Sequence, residues 1–239
     1  MAQRLRNALF VAGALASISG AGWAVLGSSS RVSNAATSAS LPSPAREATV
    51  MRIVRTTGIA LDGDFDDPGW SRGQKTGPFV DELGAPARPY TDARVAWGDG
   101  FLYVGFYMAD ENILTNVDRA DGPLWLADDV HLALIIGDHE YSIDAAPSGT
   151  ITDGLRIKGG ATDYSWSSGA KVATEMDGTL NDTSDNDEEW LIELAIPLKN
   201  LGLDGRAGES MGVRMRRCDT SKTGARTCAN AEPNRIELE

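Results

Sequence analysis

ARVAWGDGFLYVGFYMAD, residues 93–110, alternates its apolar side chains on both sides of a short Gly98-Asp99-Gly100 turn. Leu102, Val104, Phe106 and Met108 fall on one face of the second run, and Phe101, Tyr103 and Tyr107 on the other. That period of two is the mark of strands with one face on a core, joined by a hairpin turn. DGPLWLADDVHLAL (121–134) comes next, with a lone Trp125 in a loop that ends in the paired acids Asp128 and Asp129. The pattern returns in GTLNDTSDNDEEWLIELAIPL (178–198). Val130, Leu132, Leu134 and Ile136 form one apolar row and Trp190, Ile192 and Leu194 another, while Val213 with Met215 and Ile236 with Leu238 supply late short strands. Gly, Pro, Asn and Asp punctuate the gaps, and the helical candidate is PLKNLGL, 197–203. The expectation is an all-β chain folded as an antiparallel β-sandwich that presents loops.

The chain has 239 residues, and its N-terminus reads as an export signal. Arg4 and Arg6 precede an apolar run from Ala8 to Gly27, and Ser33-Asn34-Ala35 suits cleavage before Ala36. Uncleaved, the run is long enough to serve as a membrane anchor, which would be the protein's only attachment to a bilayer. Residues 36–50, rich in Ala, Ser, Thr and Pro, read as a flexible tether, leaving 51–239 as one domain. The formal charge is −12; residues 1–35 hold three Arg and no acid, so the remainder carries −15. Such a surface repels nucleic acid and anionic lipid and suits neutral ligands or divalent cations. Cys218 and Cys228, ten apart in a loop-like segment, read as a local disulfide in an oxidising compartment, since two thiols with no nearby His make a poor zinc site.

Five stretches carry a resemblance: IALDGDFDDPGW (59–70), residues 93–113, LWLADDVHLAL (124–134), EYSIDAAPSGTITD (140–153) and WLIELAIPLKNLGL (190–203). In this order and spacing they resemble family 9 carbohydrate-binding modules and their DOMON-like sandwich relatives, over most of residues 51–239. The resemblance implies a β-sandwich, a structural Ca²⁺ in some members, non-catalytic saccharide binding, and a glycoside hydrolase as partner. It places Trp125 at a sugar-stacking position and Asp129, His131 and Ser142 among the ligand contacts. Three departures stand out. No second late tryptophan follows Trp190, where the chain reads RRCDTSKTGARTCANAEP (216–233); His131 stands where relatives carry Glu; and Ser142 stands where they carry Arg.

An indole can cover the apolar C–H face of a pyranose while polar groups take its hydroxyls. Trp125 is either that platform or a plug of the sandwich rim. Trp70, Trp97 and Trp190 read as core, whereas Trp166, or Tyr164 beside it, could supply a second stacking surface. Two acidic turns stand out as well. Asp62, Asp64, Asp66 and Asp67 crowd one and read as a solvated turn, while Asp182, Asp185, Asp187 and Glu188 crowd another and could converge on one Ca²⁺. No G-x-S-x-G, H-E-x-x-H, P-loop or strand-following G-x-G-x-x-G is present, and His131 and His139 read as surface residues, so the chain reads as non-catalytic. Two alternatives stay open. One is a b-type haem protein of the same superfold that draws axial ligands from Met108, Met211, Met215, His131 or His139 and passes electrons. The other is an envelope protein with a structural or interaction role.

Overall fold

The computed structural model describes residues 48–115, 117 and 119–239. The expected signal or anchor (1–35) and most of the expected tether lie outside these residues. Among the described residues no helix is long and apolar enough to cross a membrane. Thirteen strands are present among the described residues, beginning with β1 (Val50–Ile53), whose first residue is the last of the expected tether. β2 (Gln74–Lys75), β3 (Thr91–Gly98), β4 (Phe101–Ala109), β5 (Asp129–Ile136), β6 (His139–Ala145) and β7 (Ile151–Ile157) follow. The chain closes with β8 (Thr162–Asp163), β9 (Lys171–Asp177), β10 (Glu189–Pro197), β11 (Ser210–Thr220), β12 (Arg226–Asn230) and β13 (Arg235–Leu238). One sheet runs β1-β13-β11-β5-β6-β7-β8 with β12 paired to β11, and the other runs β2-β3-β4-β10-β9. All pairings are antiparallel except β1 with β13, where the two ends of the domain enter side by side.

The β3–β4 hairpin turns on Asp99 and Gly100, both at positive φ, as a two-residue turn whose twist matches its strands requires. Its inward row of Leu102, Val104, Phe106 and Met108 meets Val130, Leu132 and Leu134 of β5, Trp190, Ile192 and Leu194 of β10, and Met211, Val213 and Met215 of β11 in one core. The three methionines named as haem ligands are therefore packing residues between the sheets. PLKNLGL is a 3-10 turn (Leu198–Leu201) closed by Gly202 in the left-handed region. Two further 3-10 turns, Trp70–Arg72 and Leu124–Leu126, lie in segments that the apolar period does not distinguish.

A second apolar layer lies outside the five-stranded sheet. Gly105 points away from the core, and a Cβ there would meet the Phe65 ring at 2.4 Å, so this glycine admits the 59–73 segment onto the sheet. Trp70 is 2% exposed and packs edge-on against Phe65. Its indole Nε1 donates to Glu193 Oε1 at 2.5 Å, and Glu193 Oε2 accepts the backbone N–H groups of Asp62 (3.0 Å) and Gly63 (2.8 Å). Gly63 has φ +97 and backbone of Thr174 at 2.7 Å from its would-be Cβ, so the Asp-Gly turn is needed for the segment to close on Glu193. Trp70 is a plug, as its sequence position suggests, but of this outer layer.

Candidate functional site

Register brings four loops to one end of the sandwich. β4 ends and β10 begins there, with Ala109 opposite Glu189; β5 begins there, with Val130 opposite Ala145 and Asp129 opposite Cys218. The loops are therefore 110–128, which crosses from the five-stranded to the eight-stranded sheet, 146–150, 178–188 and 221–225. Leu124 is buried against Val117 and Ala146 and anchors the crossing loop, which leaves Trp125 44% and Leu126 57% exposed beside it. Thr152 Oγ1 donates to Gly122 O at 2.6 Å and Asp121 N to Ile151 O at 3.2 Å, so the Trp125 turn is tied to the start of β7.

Beyond that tie lies the outer face of the eight-stranded sheet. Thr152 is registered with Asp144, Asp144 with His131, and His131 with Arg216, which puts these side chains in one row across four strands. The next row runs Arg214, Ala133, Ser142 and Gly154. His131 Nδ1 is 2.7 Å from Asp144 Oδ1, and Ser142 Oγ donates to Gly154 O at 3.3 Å. Tyr164 covers Gly154, where a Cβ would lie 3.3 Å from its ring and 2.6 Å from Thr162, and Tyr164 is itself 51% exposed. The polar rows of His131 and Ser142 are thus bounded by the Trp125 turn at the β7 start and by Tyr164 over β7.

The sequence candidates divide accordingly. His131 and Ser142 lie on the outer face of the eight-stranded sheet, and Trp125 is exposed on the turn tied to the start of β7. Asp129 is wholly buried and ion-paired with Arg226, which also donates to Ala127 O. Burial, opposed by Arg226, pushes its carboxyl up to about 6. Trp166 turns inward onto Tyr141, with ring centroids 5.2 Å apart, and lines a cavity of about 220 Å³ with Tyr164, Asp153 and Asp121. Tyr164 is the exposed aromatic of that segment. His139 stacks on Tyr141 at 6.0 Å. Where a second late tryptophan is lacking, β11 and β12 form a hairpin with Cys218 and Cys228 opposite each other and joined as the expected disulfide.

Among the described residues the acids of 182–188, expected to converge on Ca²⁺, form no group of three carboxylates within 4.8 Å of one another. Asp187 is buried and accepts Ile113 N (2.6 Å) and Thr179 N (2.7 Å), so it pins two loops together. Asp182 accepts Ser184 N and Oγ on the surface, and Asp185 offers its carbonyl to Lys222. Among the described residues, carboxylates within 4.8 Å of one another form two other groups, Asp62 with Asp67 and Glu193, and Asp110 with Asp128 and Asp219. The second is buried throughout. Asp128 accepts Leu114 N (2.6 Å) and Thr220 N (2.7 Å). Arg217 donates at 2.7 Å to both Asp110 and Asp219, and Trp190 Nε1 donates to Asp110 at 3.1 Å. Burial and the Asp110 charge push Asp128 up to about 7 despite its two N–H donors, and burial pushes Asp219 up to about 6 despite Arg217. Sequence reading missed this group because its members are far apart in the chain; the available signal was the position of Asp110, Asp128 and Asp219 at strand ends that register places together.

No family model and no curated protein sequence matches the chain. Solved structures do. A candidate carbohydrate-binding protein from Bacteroides uniformis superposes with TM-score 0.61 at 13% identity, covering 81% of this chain and 100% of that one. A family 9 carbohydrate-binding module from Caldicellulosiruptor kristjanssonii matches in complexes with cellotriose (TM-score 0.55, 14% identity, 80% of this chain and 93% of that one) and with glucose (0.53, 16%, 79% and 96%). At these identities the likeness is one of fold: the β-sandwich is of the kind found in carbohydrate-binding modules.

Proposed function

We propose that the protein is an exported, non-catalytic saccharide-binding protein whose ligand lies on the outer face of the eight-stranded sheet, against Trp125 and Tyr164. The observation that carries this reading is a pair of exposed aromatic side chains bounding polar rows of His131 and Ser142, the combination that sugar recognition needs: a flat apolar surface for C–H groups and nearby polar atoms for hydroxyls. A net charge of −12 favours a neutral saccharide over an anionic one. The bound cellotriose and glucose of its structural neighbours support the same ligand class. Tyr164 takes the part of the missing second tryptophan. The disulfide supports export, and a role beside a glycoside hydrolase follows from the resemblance in sequence.

A glycan array in the presence of Ca²⁺, run with Trp125→Ala and Tyr164→Ala as controls, tests the reading. Binding of a neutral saccharide that both substitutions weaken is the expected result. Silence of the unaltered protein across plant, fungal and bacterial glycans would refute it.

A further inference from the structure

Neighbouring arginines of β11 face opposite ways. Arg216 points outward on the His131 row, whereas Arg217 stands opposite Val130 of β5 and Ala229 of β12, both core residues. Asp219 stands opposite Thr227, so Arg217, Asp219, Thr227 and Ala229 share the inner face of the β11–β12 hairpin. All four line a cavity of about 360 Å³, whose other wall is the 81–89 turn. That turn is held in place. Val80 exchanges both backbone hydrogen bonds with Asn230 of β12 at 2.9 Å, and Asp81 accepts Leu83 N and Ala85 N. The cavity is therefore preformed, and it lies on the opposite face of the hairpin from Arg216 and His131.

Its floor holds an unused donor beside an unused acceptor. Arg217 is 2% exposed and its Nη2 donates at 2.7 Å to both Asp110 and Asp219, yet its buried Nε–H has no acceptor. Asp219, also buried, uses one carboxylate oxygen on Arg217, and the other accepts no hydrogen bond among the described residues. Buried polar groups are seldom left without partners. The chemistry that completes both is narrow. A cation offers no acceptor to the Nε–H, and an anion would enter beside Asp219, Asp110 and Asp128, which already outnumber the one guanidinium. A neutral group that both accepts and donates remains, and a hydroxyl does both.

We propose that this cavity is a second saccharide subsite, in which neighbouring hydroxyls of one sugar ring pair with Arg217 and Asp219 and no aromatic platform takes part. The volume is near the lower end for small-ligand sites, which suits a single ring, and exposed Thr227 and Arg88 add polar contacts at the mouth. The ligand class rests on the saccharide reading of the Trp125 surface, whereas the unpartnered donor and acceptor stand without it. Because the hairpin separates the two sites, they fill independently.

Arginine Nε–H and tryptophan indole N–H groups give separate resonances in isotope-labelled protein, so each site has its own reporter. The full chain is titrated with glucose, xylose and cellobiose, and separately with acetate and N-methylacetamide, while the Arg217 and Trp125 signals are followed. At least one sugar should shift the Arg217 signal saturably. Ala85→Trp fills the cavity mouth at an exposed position and should raise the Kd read from that signal at least tenfold, leaving the Trp125 response as it was. In Trp125→Ala the Arg217 shift should persist. No Arg217 shift with any sugar would overturn the subsite even if Trp125 responds, and a shift that Ala85→Trp does not weaken or that Trp125→Ala removes would overturn it too. Shifts with acetate or N-methylacetamide alone would overturn the ligand class. An Arg217 shift with no Trp125 response would support the subsite while refuting the reading of the Trp125 surface.

Discussion

Two buried indole–carboxylate pairs leave strand β10 in opposite directions, and they end differently. Outward, Glu193 accepts the Trp70 indole and two backbone N–H groups, so three donors of the 59–73 segment meet one side chain. Inward, Asp110 accepts the Trp190 indole, Asn112 N and Arg217, but stands within 4.8 Å of two more buried acids. The first is a lock: one carboxylate, three donors, and a loop held on a sheet. The second carries more negative charge than its donors offset, and beside it the Asn112 amide oxygen lacks a donor.

The largest expected effect breaks the lock. Glu193→Ala leaves the Trp70 N–H and two backbone N–H groups without acceptors and should destabilise by about 3–4 kcal/mol in urea unfolding. A loss under about 1 kcal/mol would mean that the segment is held by its other contacts instead. Replacing both cysteines by serine frees β12 from β11 beside the inward group and should cost about 2–3 kcal/mol, read as a lower urea midpoint; an unchanged midpoint would show that the strand pairing alone holds the hairpin. Trp125→Ala should lower saccharide affinity by about 10- to 100-fold while moving stability by less than about 1 kcal/mol, because the indole is 44% exposed. Loss of fold instead would make Trp125 a rim plug. Tyr164→Ala should be milder, about 3- to 10-fold in affinity, and a null result would confine the surface to the Trp125 side.

Much of this was legible in the chain. Val104 and Phe106 flanking Gly105 already state which way each residue of β4 points, and Trp97 and Trp190 are core, as their alternation requires. The ten-residue spacing of the cysteines became a cross-strand disulfide. In the acidic run at 182–188 Asp182 bonds Ser184 rather than its acidic neighbours, because adjacent carboxylates in a turn repel and find local donors, so density along the chain does not by itself give convergence. Trp166 and Tyr164 could not be told apart by sequence, since two residues in a short loop carry no period that says which faces the core.

The sequence alone determined what depends on neighbours along the chain: the two-residue period that makes strands, the Asp-Gly turns that reverse them, and the net charge that sets which ligands are tolerated. Tertiary structure alone decided what depends on register between distant strands. It buried Asp129 against Arg226, left Tyr164 exposed above Ser142, and gathered Asp110, Asn112, Asp128 and Asp219 from three separate segments into one place. Side-chain alternation follows from local backbone geometry, whereas the meeting of charges at a sheet end follows from how the strands pair.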